Sequence, residues 1–101
     1  MEPATPMLKQ IEDLLHHTSP TLASVEDTLT EGYAKALALE AERLRIERRL
    51  GEVARAATPD HAAEIRSLGS RLIAADGQLE ELRSLLGTLN ERARELRAAL
   101  N

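Results

Sequence analysis

The sequence predicts an all-α protein, an antiparallel coiled-coil helical hairpin preceded by a short helix, and three observations predict it. Alanine and leucine supply 34 of the 101 residues, while Phe and Trp are absent and Tyr33 is the single tyrosine. Ala and Leu lose little entropy in a helix, whereas sheets favour the β-branched and aromatic residues that are few here. Apolar residues also recur at alternating steps of three and four along two long stretches, the rhythm of a heptad seam. Between those stretches stands a proline, Pro59.

The first element is PMLKQIEDLLHH, which sets Met7, Leu8, Ile11, Leu14 and Leu15 at helical spacing. It predicts a short amphipathic helix within an N-terminal arm, residues 1–19. Ser19 and Pro20 follow as the N-cap and first helical residue of the next helix.

From there the a and d positions are Leu22, Val25, Leu29, Gly32, Ala36, Leu39, Arg43, Ile46, Leu50, Val53 and Ala57. The rhythm resumes with His61, Ile65, Leu68, Leu72, Ala75, Leu79, Leu82, Leu86, Leu89, Ala93, Leu96 and Leu100. In the stretch ARAATPDHAAEI, Thr58 serves as an N-cap, Pro59 fits the position where its missing N–H is harmless, and Asp60 complements the helix dipole. Proline disfavours helix at the residue before it, so the first long helix stops near Ala57. A turn at 58–60 is too short for anything but antiparallel return, so residues 20–101 form a hairpin.

If the chain reverses about Pro59, facing residues have numbers summing to about 118, and every a should meet a d. The expected pairs include Leu50 with Leu68, Ile46 with Leu72, Leu39 with Leu79, Gly32 with Leu86 and Val25 with Ala93. Arg43 breaks the apolar seam opposite Ala75. Its stem is expected to pack over that alanine while the guanidinium reaches Asp76 or solvent. Glu42 with Arg71 and Arg49 with Glu64 are expected as flanking ion pairs. Helices of about 38 residues make a rod roughly 57 Å long at 1.5 Å per residue.

A two-helix rod buries one stripe per helix and needs further cover. The N-terminal helix, folded back about residue 19, is expected to reach roughly residue 31, near Tyr33 and Leu85, or else to dock on a second copy. Leu37, Leu44 and Ile73 stay outside the seam with no cover in the chain. Together with Tyr33 and Leu85 they are the expected interface residues of a homo-oligomer, a dimer of four helices in the symmetric case.

Catalytic chemistry has little footing. His16 and His17 are adjacent and point about 100° apart on a helix, a poor chelate, and His61 falls at the far end of the rod. Gly51, Gly69, Gly77 and Gly87 are isolated and build no phosphate loop, and no catalytic residue, cofactor site or metal site is predicted. RLRIERR at 43–49 clusters four arginines, yet Glu40, Glu42, Glu47 and Glu52 are interleaved and no aromatic residue offers base stacking, so nucleic-acid binding is only the third reading.

The net charge of −4 is uneven, since residues 1–42 carry eight acids against two lysines and residues 43–101 carry nine acids against eleven arginines. Such polarity can orient an assembly, although two solvated helix faces would also account for it. There is no cysteine, no stretch of ~20 apolar residues, and no continuous apolar run in MEPATPMLKQIEDLL; a soluble, cytoplasmic protein is expected.

In shape the layout resembles the coiled-coil hairpins of the Gre and DksA factors, which insert a tip bearing acidic residues into RNA polymerase. The tip acids here are Asp60 and Glu64. That resemblance implies the second reading, a regulator whose tip, around Thr58, Pro59, Asp60, His61 and Glu64, enters a larger complex such as RNA polymerase. The first reading is a non-enzymatic protein–protein interaction module that self-associates through helical packing.

Overall fold

A computed structural model describes residues 4–17, 19–56 and 59–100, and it is all-α. Helix α1 spans Thr5–Leu15, α2 spans Leu22–Ala56, a short 3₁₀ turn occupies Pro59–His61, and α3 spans Ala62–Leu100. The two long helices form the predicted hairpin, a rod with extents of 62 × 19 × 16 Å. Thr58, expected to cap α3, lies outside the described residues; what precedes α3 is the 3₁₀ turn, with Pro59 opening it.

The start of α2 differs from the sequence expectation. The cap is Thr21, two residues after Ser19: its Oγ1 accepts the Ser24 N–H at 3.1 Å, and its carbonyl accepts the Val25 N–H at 3.1 Å. A hydroxyl at N-cap satisfies an amide that the helix itself leaves orphaned, and Thr21 is the residue placed to reach it. Pro20 is buried beside this start.

The seam follows the predicted register over most of its length, but Ile65 near the tip and Leu100 at the far end of α3, both expected in it, are exposed. Val25, Leu29, Gly32, Ala36, Leu39, Ile46 and Val53 of α2 are buried, as are Leu68, Ala75, Leu79, Leu82, Leu86, Leu89 and Ala93 of α3. Each leucine so buried contributes about 1.5–3 kcal/mol relative to exposure. The core nevertheless falls into two parts. A large cluster runs from Val25 and Ala93 to Leu39 and Leu79, and a small one holds Ile46, Val53 and Leu68 with Leu50 and Leu72 against it. Arg43 and Ala75 lie between them.

The large cluster owes its size to α1, which lies against both long helices and adds Ala4, Leu8 and Ile11, with Met7, Leu14 and Leu15 partly buried. It packs in cis and reaches farther than expected. Gln10 Nε2 donates to Glu31 at 3.3 Å, and the Ala4 N–H meets Gln78 Oε1 at 3.4 Å, a residue facing position 40. Helix α1 ends at Leu15 and α2 begins at Leu22, and the level of α1 along the rod is fixed by the burial of Ala4, Leu8 and Ile11 in the large cluster. Three helices therefore pack in the half bearing the chain ends, and two in the half bearing the tip.

Candidate interaction face

Heptad positions beside the seam divide the hairpin into two sides. Thr28, Lys35, Gln78, Leu85 and Arg92 belong to one row, and α1 covers it: Thr28 is only 6% exposed and Leu85 is packed on the large cluster. Tyr33, Glu40, Asp76 and Arg83 belong to the opposite row, flanked by Leu37, Leu44, Ile73 and Gly87. Tyr33 is 48% exposed, Leu37 66%, Leu44 46% and Ile73 75%. The expected neighbourhood of Tyr33 and Leu85 is thus split. Leu85 is spent inside the molecule under α1, and Tyr33 joins Leu37 on the open side, because a side chain's row, not its height along the rod, decides what covers it.

Shallow grooves connect these residues. One is lined by Tyr33, Leu37, Glu40, Arg83 and Gly87 over a floor of Ala36 and Leu86. The next along the rod is lined by Glu40, Arg43, Leu44, Glu47 and Arg83. Glu40 and Arg83 border both, so Tyr33, Leu37 and Leu44 share one continuous face. Ile73 joins it from α3, level with Leu44 in the register.

Ion pairs bind the two helices along this face and along the other. Arg43 Nε lies 3.2 Å from Asp76 and 3.2 Å from Glu47, above the buried Ala75, as its place in the seam predicts. The Glu47 hydrogen bond, with Asp76 beside it, raises the Arg43 pKa further above its ordinary value. Arg83 pairs with Glu40, and Arg97 approaches Glu26 at 3.7 Å. On the α1 side, beyond the reach of that helix, Arg71 meets Glu42 at 3.1 Å and Arg49 meets Glu64 at 2.7 Å, both as expected. Arg45 also donates to Glu42 at 2.7 Å; this bond, then the charges of Arg45 and Arg71, holds the Glu42 carboxyl below its ordinary pKa. The Glu64 hydrogen bond raises Arg49 in the same way. Exposed pairs of this kind contribute little stability but select register.

The tip presents less than the sequence suggests. Pro59 and Asp60 are exposed, His61 is half-buried, and Glu64 is occupied by Arg49. His61 Nδ1 is buried with no hydrogen-bond partner among the described residues. The other histidines lie near the end of α1, where His16 Nδ1 is 2.7 Å from the Glu12 carbonyl and His17 Nδ1 accepts the Ser19 N–H at 3.1 Å. Among the described residues no three His, Asp or Glu side chains are grouped to hold a metal ion, and no helix is long and apolar enough to cross a membrane.

The arginine run is largely neutralised in place, since Arg43, Arg45 and Arg49 each contact a carboxylate. Sequence reasoning placed Leu37, Leu44 and Ile73 on the uncovered face and set Tyr33 beside the N-terminal helix, whereas Tyr33 lies on the open side. That reasoning missed Gly87 as their neighbour, although its heptad position beside Tyr33 and Arg83 was available as a signal. No protein-family model matches the chain, no curated protein matches it, and no solved structure does.

Proposed function

We propose that this protein is a non-enzymatic assembly module, an antiparallel coiled-coil hairpin that associates with itself through the open face. One observation carries the reading: Tyr33, Leu37, Leu44 and Ile73, all large and apolar, are exposed together on the side opposite α1. Water against so much apolar surface is unfavourable, and a marginal two-helix rod gains most from covering it. The homodimer completes a helical bundle where the chain alone supplies two helices. We take the cytoplasm as its setting, in keeping with a cysteine-free sequence.

The alternative reading places function at the tip. It is less well supported, because Glu64, one of the two tip acids, is tied to Arg49 and only Asp60 projects freely. Pairing of Arg43, Arg45 and Arg49 with acids likewise argues against nucleic acid.

Sedimentation equilibrium over a wide concentration range tests the proposal. The native chain should reach twice its 11.1 kDa mass, and Leu44→Glu with Ile73→Glu should return it to monomer while far-UV helicity persists. Unchanged mass and unchanged melting in that double variant would sink the proposal. On the tip reading, an Asp60→Ala variant would lose activity while its mass stayed unchanged; the assembly reading predicts the reverse.

A further inference from the structure

The rod is electrically polar. Its tip half, residues 43–56 and 59–78, carries seven arginines against five acids, whereas the described residues of the other half, 4–42 and 79–100, carry six basic residues against eleven acids. Two rods laid together tip to tip would set like halves against each other. Reversing one lays the positive half on the negative half, which is the favourable arrangement.

The apolar residues are distributed to match. Tyr33 and Leu37 lie on the chain-end side of the rod's middle, and Leu44 and Ile73 lie on the tip side. Beside Gly87, moreover, the place a β-carbon would take has no heavy atom within 4 Å. The groove between Gly87, Tyr33 and Leu37 therefore has room for a side chain from outside.

We propose that the occupant of the open face is a second copy of the chain lying antiparallel, with α2 against α2 and α3 against α3. This inference rests on the self-association proposed above and adds its orientation and register. A two-fold axis lying in the face and crossing the rods maps each helix onto its own reverse. Residues that meet on α2 then have numbers summing to about 77, which sets Leu44 of one copy on Tyr33 of the other and leaves Leu37 beside the axis. On α3 a sum of about 160 sets Ile73 of one copy over Gly87 of its twin. The axis crosses near the middle of the rod, so the two copies overlap along their full length. A face 62 Å long and at least 16 Å across is large enough for the ~800 Å² per partner of a standard interface.

The chain has no native cysteine, so single spin labels report the orientation. Labels on Asp60→Cys should sit about 50 Å or more apart in the dimer, close to the 62 Å length of the rod. A separation near its 19 Å width would mean parallel packing and would overturn the inference while leaving self-association intact. For the register, Tyr33→Cys mixed with Leu44→Cys should yield a disulfide dimer under mild oxidation that neither variant forms alone. Efficient cross-linking of either variant with itself would overturn that register. Native chain that stays monomeric at every concentration would remove both the inference and the proposal beneath it.

Discussion

Leu86 fills the space beside Gly32 that a β-carbon on residue 32 would need, and Ile11 Cδ1 lies 3.7 Å from the same point. A glycine in a heptad core position is thereby explained: at this level three helices meet, and the missing side chain of α2 admits one leucine from α3 and one isoleucine from α1. Gly32→Ala gains up to ~1 kcal/mol of helix propensity but overpacks the core at about 1–3 kcal/mol. Urea denaturation should show net destabilisation. Gly77→Ala makes the contrast, since nothing stands within 4 Å of its would-be β-carbon; it should stabilise by up to ~1 kcal/mol.

Ile11 is fully buried in the large cluster, so α1 is part of the fold. Ile11→Ala should cost about 2–5 kcal/mol. The same variant should raise the exposure of Leu85 and Leu82 to hydrogen exchange of their helix more than that of Leu68. Equal effects on both clusters would show the hairpin to be one cooperative block.

The division of the core predicts uneven local stability. Amides of residues 29–39 and 79–89, beneath α1, should exchange at least ~10-fold more slowly than those of 46–53 and 65–72. The tip half has two helices and a small cluster, so it opens first. Uniform protection along the rod would contradict this.

Acid should weaken the hairpin through Glu42. Its pKa is depressed in the folded chain by the Arg45 hydrogen bond and by the charges of Arg45 and Arg71. A group with a lowered folded value contributes stability that is present above its unfolded value, near pH 4, and is lost as pH falls through the folded one. Glu42→Gln should therefore lower Tm slightly at pH 7, where the contribution is present, and converge with the native chain in acid, flattening the fall of Tm below about pH 4; the effect is small because the pair is near the surface. A steeper acid limb in the variant would reverse the assignment.

The sequence by itself determined the hairpin. Heptad spacing on either side of Pro59, and turn chemistry that stops one helix and starts another, are local signals, and a single register of apolar facing pairs leaves no freedom about how the long helices return. Arg43 over Ala75, Glu42 with Arg71 and Arg49 with Glu64 followed from that register, because positions flanking a seam meet predictably. The exposure of Leu37, Leu44 and Ile73 was legible for the same reason. Tertiary structure decided what the heptad rule does not contain. It placed the cap at Thr21, moved α1 along the rod until Ala4 met Gln78, chose the side of Leu85 for that helix and left Tyr33 open. A short helix outside the heptad seam has no periodic partner to fix its height or its side. Its position is set by where its few apolar residues find a matching hollow, and the hollow beside Gly32 exists only once α2 and α3 have packed.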